Sequence, residues 1–239
     1  MAILETLNVS KSFGSLKAVA GLSFDVREKE ILAVVGPNGS GKTTLFNVIS
    51  KVLNLDDGAV HFDGHRIDRL PSHRIAHLGL ARTFQVPAFF KSMTVEEQVR
   101  LAAQFGGRNS HDPSGTASES LAFVGLSDKA KTPADRLDIY GKKRLMMASA
   151  MAIKPKLMML DEPLAGLNNQ EVKEELGMVT KIRESGITVM IIEHNIRAIF
   201  SLADRAMVMH KGEKIAEGSP PEVSKNVQVI KVYLGEGYF

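Results

Sequence analysis

Short apolar runs alternate with amphipathic segments along the chain, and this alternation predicts an α/β fold. Leu4–Val9 and Ser23–Val26 have the pattern of strands in a small antiparallel layer. Ile31–Val35 is a continuous run rich in β-branched residues, which indicates a strand buried on both faces of a parallel sheet. Val60–Gly64 has the pattern of a further strand and turn. A helix before that strand is predicted by the helical spacing of Leu45, Ile49 and Val52.

The middle of the chain has a mostly helical pattern. Thr94–Gln104 predicts a helix with Thr94 as its N-cap and Glu97 closing a capping box. Gly106–Ser118 is polar and rich in Gly, Ser and Pro, so it predicts a loop. Two more helices are predicted, one from Glu119 and one over Lys143–Ile153.

The alternation of strands and helices returns after Pro155. Leu157–Leu160 and Thr188–Ile192 predict buried strands, and Gln170–Glu184 predicts the helix between them. We therefore expect one domain over residues 1–239, in which a helical subdomain is inserted at roughly residues 86–155.

The composition limits the classes of function. The 239 residues carry a formal net charge of only +3, with both signs interspersed, so no nucleic-acid partner is expected. The absence of cysteine excludes disulfides, thiolate nucleophiles and cysteine-based metal sites. The chain starts without a signal-peptide pattern, and no apolar stretch approaches the ~18 residues that cross a bilayer. We expect any membrane role to be peripheral and to depend on a partner.

A glycine-rich segment lies between a predicted buried strand and a predicted helix. Residues 36–43 read GPNGSGKT and match G-x-x-x-x-G-K-[ST], in which backbone N–H groups curl around phosphates at the positive end of a helix. Lys42 is expected to reach the β- and γ-phosphates, and the Thr43 hydroxyl to hold Mg²⁺. A chance match is expected in roughly one chain in a hundred of this length. The strand–turn–helix context favours a phosphate site formed by Gly36, Pro37, Asn38, Gly39, Ser40, Gly41, Lys42, Thr43 and Thr44.

Two carboxylates end the predicted strand Leu157–Leu160. Asp161 is expected to support Mg²⁺ through its ligand shell, and Glu162 is the candidate general base for an attacking water. An Asp-Glu pair before Pro163 can also be a simple strand cap. Its occurrence together with the phosphate-binding segment favours the catalytic interpretation.

His194 follows another predicted strand and can donate a hydrogen bond to a γ-phosphate at the same sheet edge. A single histidine is more often structural, and we interpret the other six in that way. His73 and His77 are four residues apart, but no carboxylate completes a metal site with them.

The order of these motifs resembles that of ABC-transporter ATPases over essentially the whole chain. The motifs are GPNGSGKT at 36–43, TFQ at 83–85, LDEP at 160–163, GLN at 166–168 and EH at 193–194. The resemblance implies an α/β P-loop NTPase core with an N-terminal antiparallel β layer and a helical subdomain, binding ATP and Mg²⁺.

The resemblance also implies roles for single residues. Gln85 is similar to the Q-loop glutamine, which contacts Mg²⁺ or water and senses the membrane subunit. Phe13 is similar to the aromatic residue that stacks on adenine, although it can equally be a core residue. Asn168 occupies the D-loop position, usually Asp in the family, where it bridges the dimer interface.

The family signature Leu-Ser-Gly-Gly-Gln departs from its usual form here. The corresponding segment is Leu137–Arg144, LDIYGKKR. An ungapped alignment puts Asp138 at the serine and Tyr140 at the second glycine, whereas a slip aligns Gly141 with that glycine. With either alignment, the serine that would touch the γ-phosphate held by a partner is missing.

Finer features resemble the ATPases of branched-chain amino-acid importers, namely Gly79–Gln85, Ala165–Asn168 and Val232–Glu236. This resemblance implies an ATPase at the cytoplasmic face of the membrane, working with transmembrane permease subunits and a second ABC ATPase, identical or different. Lipopolysaccharide-export ATPases have a similar tail and remain an alternative. So do a non-transport ABC ATPase and a protein that binds ATP without turnover.

Two adjacent aromatic residues, Phe89 and Phe90, lie in the short segment Val86–Met93 after Gln85. Aromatic residues can anchor a helix of a partner in a groove, so we predict that this segment meets the membrane subunit. Packing of the pair inside the helical subdomain is about equally consistent with the sequence.

Overall fold

The protein is described by a computed structural model over residues 1–86, 88–106 and 111–234. The strands in these residues are β1 (Ala2–Phe13), β2 (Leu16–Arg27), β3 (Ile31–Val35), β4 (Asp57–Phe62), β5 (His65–Arg66), β6 (Leu80–Arg82), β7 (Leu157–Asp161), β8 (Thr188–Ile192), β9 (Arg205–His210) and β10 (Glu213–Gly218). The α-helices are α1 (Lys42–Ile49), α2 (Ser72–Leu78), α3 (Val95–Phe105), α4 (Pro113–Val124), α5 (Ile139–Ala152), α6 (Asn169–Glu184), α7 (Ile196–Phe200), α8 (Pro220–Ser224) and α9 (Val227–Leu234).

The chain forms two compact units. The first comprises residues 1–72 and 182–239, and the second comprises residues 73–181. The predicted helical insertion at residues 86–155 stays a prediction. None of the described helices is long and apolar enough to cross a membrane.

The first unit contains the antiparallel layer that the sequence predicts. Its four strands lie in the order β2-β1-β4-β5. Leu4 pairs with Val26 on one side and with Phe62 on the other, and all three side chains are fully buried. The apolar alternation in these strands therefore turns one side of the layer towards the core.

A second group of strands in the same unit carries the phosphate-binding segment. β3 pairs in parallel with β8 and with β9, and β10 pairs antiparallel with β9. Every residue of β3 and of β8 is buried, which confirms both predicted strands. Because β3 and β8 are parallel, the segments that follow them emerge at the same edge.

The helix after the phosphate-binding segment is shorter than predicted. Helix α1 ends at Ile49, and the chain turns through Lys51, whose φ is +60°. The N–H of Val52 donates to the carbonyl of Asn47, and the Val52 side chain is exposed. Its inclusion in the buried helical face was wrong because the chain leaves the helix before it reaches the next turn.

The second unit contains β6 and β7, which pair in parallel, and helices α3, α4 and α5, which contact one another. Helix α3 confirms the predicted capping box, since Thr94 accepts a hydrogen bond from the N–H of Glu97 while the Glu97 carboxylate accepts from that of Thr94. The predicted strand at residues 157–160 is confirmed as β7.

Two helix starts differ from the prediction. The predicted loop Gly106–Ser118 is wrong from Pro113 onward, because α4 begins there with Asp112 accepting from the N–H of Gly115. Residues 107–110 of that predicted loop lie outside the described residues. Helix α5 begins at Ile139, four residues before the predicted start, and Asp138 is its N-cap. Polar composition concealed both helix starts because Asp and Pro favour the first turn of a helix as well as loops.

Candidate functional site

The glycine-rich segment between β3 and α1 is a turn that only glycine can occupy at key positions. Gly36 has φ +154° and Gly41 has φ +102°. A Cβ at Gly36 would lie 2.2 Å from the carbonyl oxygen of Met209, and one at Gly41 would lie 2.0 Å from that of Ala18. Close backbone packing therefore fixes the loop that precedes the helix.

Lys42 is held tightly over this loop. Its Nζ donates to the carbonyl oxygens of Gly36 at 2.8 Å and of Pro37 at 2.9 Å, and the residue is buried. The ammonium is thereby held at the carbonyls of the turn, whose place phosphate oxygens can take.

The start of α1 favours an anion. Its first turn holds no acidic residue, and its N-cap Gly41 places no side chain over the terminal N–H groups. Thr43 is exposed in this first turn and Thr44 is half-buried beside it. The exposed Thr43 hydroxyl can serve as a metal ligand next to bound phosphates.

His194 and Phe13 belong to the same unit as the phosphate loop. His194 is exposed and lies two residues beyond β8, the parallel neighbour of β3, so both segments start from the same edge of these strands. Phe13 ends β1 with its side chain about half exposed (49%), and the Lys11 ammonium lies 5.8 Å from its ring centroid. A flat, exposed ring of this kind can stack on a base.

The second unit brings the candidate base and the Q-loop glutamine together. Glu162 directly follows the buried strand β7 and has φ +49°. The Nε2 group of Gln85 donates to Oε2 of Glu162 at 2.7 Å. Separate roles were predicted for these two residues, whereas in the structure Gln85 orients the Glu162 carboxylate.

Asp161 is engaged by a residue that the sequence analysis did not single out. Arg82 Nη2 lies 2.9 Å from Asp161 Oδ2, and both side chains are almost fully buried. Burial lowers the pKa of the Arg82 guanidinium, and the hydrogen bond and charge of Asp161 oppose that shift. The parallel pairing of β6 with β7 carries Arg82 to Asp161, so the sequence held no local signal for this contact.

The signature segment is organised by side chains of its own unit. Asp138 Oδ1 accepts from the N–H of Gly141 at 2.6 Å and so caps α5. A Cβ at Gly141 would lie 2.9 Å from that same oxygen, so glycine permits the cap. The Tyr140 hydroxyl donates to Glu174 on α6 at 2.9 Å, and the Arg144 guanidinium lies over the Tyr140 ring. Burial, followed by the hydrogen bond to Glu174, raises the pKa of Tyr140 to about 12.

Asn168 caps α6. Its Oδ1 accepts from the N–H groups of Gln170 at 2.9 Å and of Glu171 at 3.0 Å, and its own N–H donates to the Glu171 carboxylate. An aspartate, the usual D-loop residue, could make the same cap. The substitution therefore leaves the local geometry intact while it removes a negative charge.

The candidate metal ligands are all oxygen donors. They are the hydroxyl of Thr43 in the first unit and, in the second unit, the carboxylate of Asp161 and the side-chain amide oxygen of Gln85. Oxygen donors are the ligands that Mg²⁺ prefers. Among the described residues, no three His, Asp or Glu side chains form a cluster that could hold a metal ion. The donors of each unit thus fit the chemistry of Mg²⁺ that arrives with a nucleotide.

Similarity to known proteins extends over nearly the whole sequence. A family model described as ABC transporter matches residues 19–165, and one described as branched-chain amino acid ATP-binding cassette transporter matches residues 213–238. The high-affinity branched-chain amino acid transport ATP-binding protein BraF of Pseudomonas aeruginosa is 36% identical, over 98% of each chain. The probable branched-chain amino acid transport ATP-binding protein LivG of Archaeoglobus fulgidus is also 36% identical, over 98% of this chain and 96% of its own.

Solved structures that resemble this chain are also ATP-binding cassettes of ABC transporters. A nucleotide-free ATP-binding cassette from an ABC transporter superposes with a TM-score of 0.88 at 32% identity, over 99% of this chain and all of its own. The ADP conformation of an ATP-binding cassette of an ABC transporter superposes with the same TM-score, identity and coverage.

The backbone of the phosphate loop yields a stability prediction. We expect Gly36→Ala to lower the free energy of unfolding by at least ~2 kcal/mol, because backbone strain of about 1–3 kcal/mol adds to the clash with Met209. Gly39→Ala is the matched control: its φ of +75° is unfavourable, but a Cβ there meets no atom within 4 Å, so a loss of about 1 kcal/mol is expected. Urea unfolding of both variants measures the difference. Equal losses would contradict the packing argument.

Proposed function

We propose that this chain, which belongs to the ABC transporter family, powers the uptake of branched-chain amino acids by hydrolysing ATP. The family match and the near full-length relatives make it an ATP-binding transporter subunit with ATPase activity. The feature of the site that best supports turnover is the 2.7 Å hydrogen bond between Gln85 and Glu162, because it orients a carboxylate that can accept a proton from water.

The cargo is proposed from two similarities. The relatives BraF and LivG are named as branched-chain amino acid transport proteins, and residues 213–238 match the model that carries the same substrate in its description. Both similarities favour an importer over the lipopolysaccharide-export alternative. The tail Val232–Glu236, on which part of the sequence resemblance rests, extends beyond the described residues at 235 and 236.

Each proposed catalytic role follows from local geometry. Backbone N–H groups at the start of α1 and the Lys42 ammonium bind the phosphates. Thr43, Asp161 and Gln85 would hold Mg²⁺, which neutralises charge on the phosphate oxygens. Glu162 takes the proton of the attacking water, His194 donates to the γ-phosphate, and Phe13 stacks on the adenine.

The proposed place of action is the cytoplasmic face of the membrane, where permease subunits would anchor the chain. The exposed apolar side chains after β6 support a docking surface: Phe84, Val86 and Phe90 are 43%, 77% and 60% exposed. Phe89 is half-buried, with the Lys142 ammonium 5.4 Å from its ring centroid.

The backbone of this segment is held by Gln98, whose Oε1 accepts from the Phe90 N–H at 2.9 Å. Pro87 lies outside the described residues.

The second ATPase subunit is proposed to be a different chain with an intact signature. In the family, the signature of one subunit covers the nucleotide held by the other. Here the Asp138 carboxylate occupies the N-terminus of α5, where an uncapped helix would favour a phosphate. Two like charges ~4 Å apart repel by ~4 kcal/mol at an effective dielectric of 20, more than the 0.5–1.5 kcal/mol of one serine hydrogen bond. A homodimer would have this disadvantage at both sites.

The role of Glu162 is tested by Glu162→Gln. We expect ATP affinity to be preserved while turnover falls by ~10²–10⁴-fold, because glutamine keeps the shape of the side chain but accepts no proton. Turnover is measured with and without the permease subunits, and Glu184→Gln, an exposed change at the end of α6, is the control. Turnover close to that of the unmodified protein in Glu162→Gln would refute the assignment.

The docking surface is tested by crosslinking in a chain that has no natural cysteine. Ala88→Cys and Lys91→Cys are expected to crosslink to the permease, because they flank Phe89 and the exposed Phe90. Ser118→Cys, exposed on α4 of the same unit, tests whether other positions react. Crosslinks from position 118 together with none from 88 or 91 would eliminate the proposed surface.

The heterodimer proposal is tested by Asp138→Ser. Serine keeps a helix cap and removes the charge, so turnover of the purified protein alone is expected to rise roughly tenfold, which corresponds to relief of about 1.4 kcal/mol of repulsion. Asp135→Ser, an exposed change three residues earlier, is the matched control. Brisk turnover of the unmodified protein alone, with no gain from serine, would favour a homodimer instead.

A further inference from the structure

A buried lysine on helix α5 contacts the backbone of the turn at residues 162 and 163, which is called the catalytic turn below. Lys143 is only 6% exposed. Its Nζ donates to the carbonyl oxygen of Pro163 at 2.8 Å and to that of Glu162 at 3.2 Å. Burial of an ammonium group is unfavourable unless hydrogen bonds compensate it, so a buried lysine at this position indicates that the turn requires a donor to its carbonyls.

The turn needs support because of its backbone conformation. Glu162 has φ +49°, in the left-handed region that is unfavourable for a residue with a side chain. A conformation of this kind persists where the surrounding structure enforces it, and such residues cluster at active sites. The hydrogen bonds from the Lys143 ammonium to the carbonyls of Glu162 and Pro163 restrain the backbone in this conformation.

We propose that Lys143 is a positioning residue for Glu162, holding the backbone of the turn while Gln85 holds its carboxylate. This inference rests on the assignment of Glu162 as the general base. Without Lys143 the turn is free to relax towards ordinary backbone angles, which moves the carboxylate away from Gln85 and from the water. A misplacement of ~1 Å can reduce a catalytic rate by ~10²-fold.

The same contact links the catalytic turn to the signature segment. Lys143 lies five positions after the N-cap Asp138, about 7.5 Å along the helix axis at 1.5 Å per residue. A movement of α5 that follows contact between Asp138 and a partner subunit would therefore also move the carbonyl of Glu162. Positioning of the base is in this way connected to the segment that faces the second subunit.

The test compares Lys143→Met, which removes the ammonium, with Lys143→Arg, which keeps a cationic donor. We expect Lys143→Met to lower kcat by ~10–100-fold while KM and the Kd for a fluorescent ATP analogue change by less than about twofold, and Lys143→Arg to recover most of the rate. Lys143→Gln, a milder change, is expected to give the same pattern if the methionine variant folds poorly. The control is Lys214→Met, which removes an ammonium that donates to the Ser23 carbonyl in the first unit.

A double variant separates positioning from general support of the fold. In the Glu162→Gln background, adding Lys143→Met should change the residual single-turnover rate by less than about twofold. A residue that only positions the base has no effect on the rate once the base is absent. An equal loss in both backgrounds, a parallel rise in Kd, or no recovery with arginine would overturn the inference.

The outcomes also separate this inference from the base assignment. An inactive Glu162→Gln together with a fully active Lys143→Met eliminates only the positioning role. Normal turnover in Glu162→Gln eliminates the base assignment and with it the reason for positioning Glu162.

Discussion

A buried parallel strand must turn sharply where it ends, and the candidate site residues of each unit depend on how the turn in that unit is held. β3 and β7 are each buried at all five positions, and each is followed directly by a residue with positive φ. Gly36 adopts this conformation readily because it has no Cβ, and the close approach of the Met209 carbonyl leaves no room for one. Glu162 cannot do the same without strain, since it must keep its carboxylate.

The backbone conformations of the two turns are reached by different residues, glycine in one and glutamate in the other, but a lysine contacts both turns. In each, a buried lysine donates to two successive carbonyls: Lys42 to those of residues 36 and 37, and Lys143 to those of residues 162 and 163. Lys42 lies at the start of a helix that also offers its N–H groups to phosphate. Lys143 lies inside α5, and its ammonium donates to the backbone of the turn at residues 162 and 163. One ammonium is thus suited to a ligand and the other to a turn.

Helix α5 combines roles that the sequence keeps apart. Its N-cap Asp138 closes the first turn, Tyr140 binds α6 through Glu174, and Arg144 forms an ion pair with the buried Glu175 at 3.2 Å. These contacts stabilise the first turns of α5, so the segment that differs from the usual signature forms a regular helix start. The unusual residues have structural partners, so the altered segment is a stable feature of the fold.

The sequence by itself determined β1 to β4, β7 and β8, the glycine-rich turn and the carboxylate pair, because period-2 and continuous apolar patterns and the GPNGSGKT spacing are local signals. Local polarity misled where Asp and Pro begin helices, as at Asp112 and Pro113. Only the tertiary structure decided that Arg82 pairs with Asp161, that Gln85 holds Glu162 and that Lys143 supports the turn. Arg82 and Asp161 are 79 residues apart along the chain, and Gln85 and Glu162 are 77 residues apart. Lys143 and Glu162 are 19 residues apart. Strand pairing and helix packing bring them together, and no periodicity along the chain records such a distance.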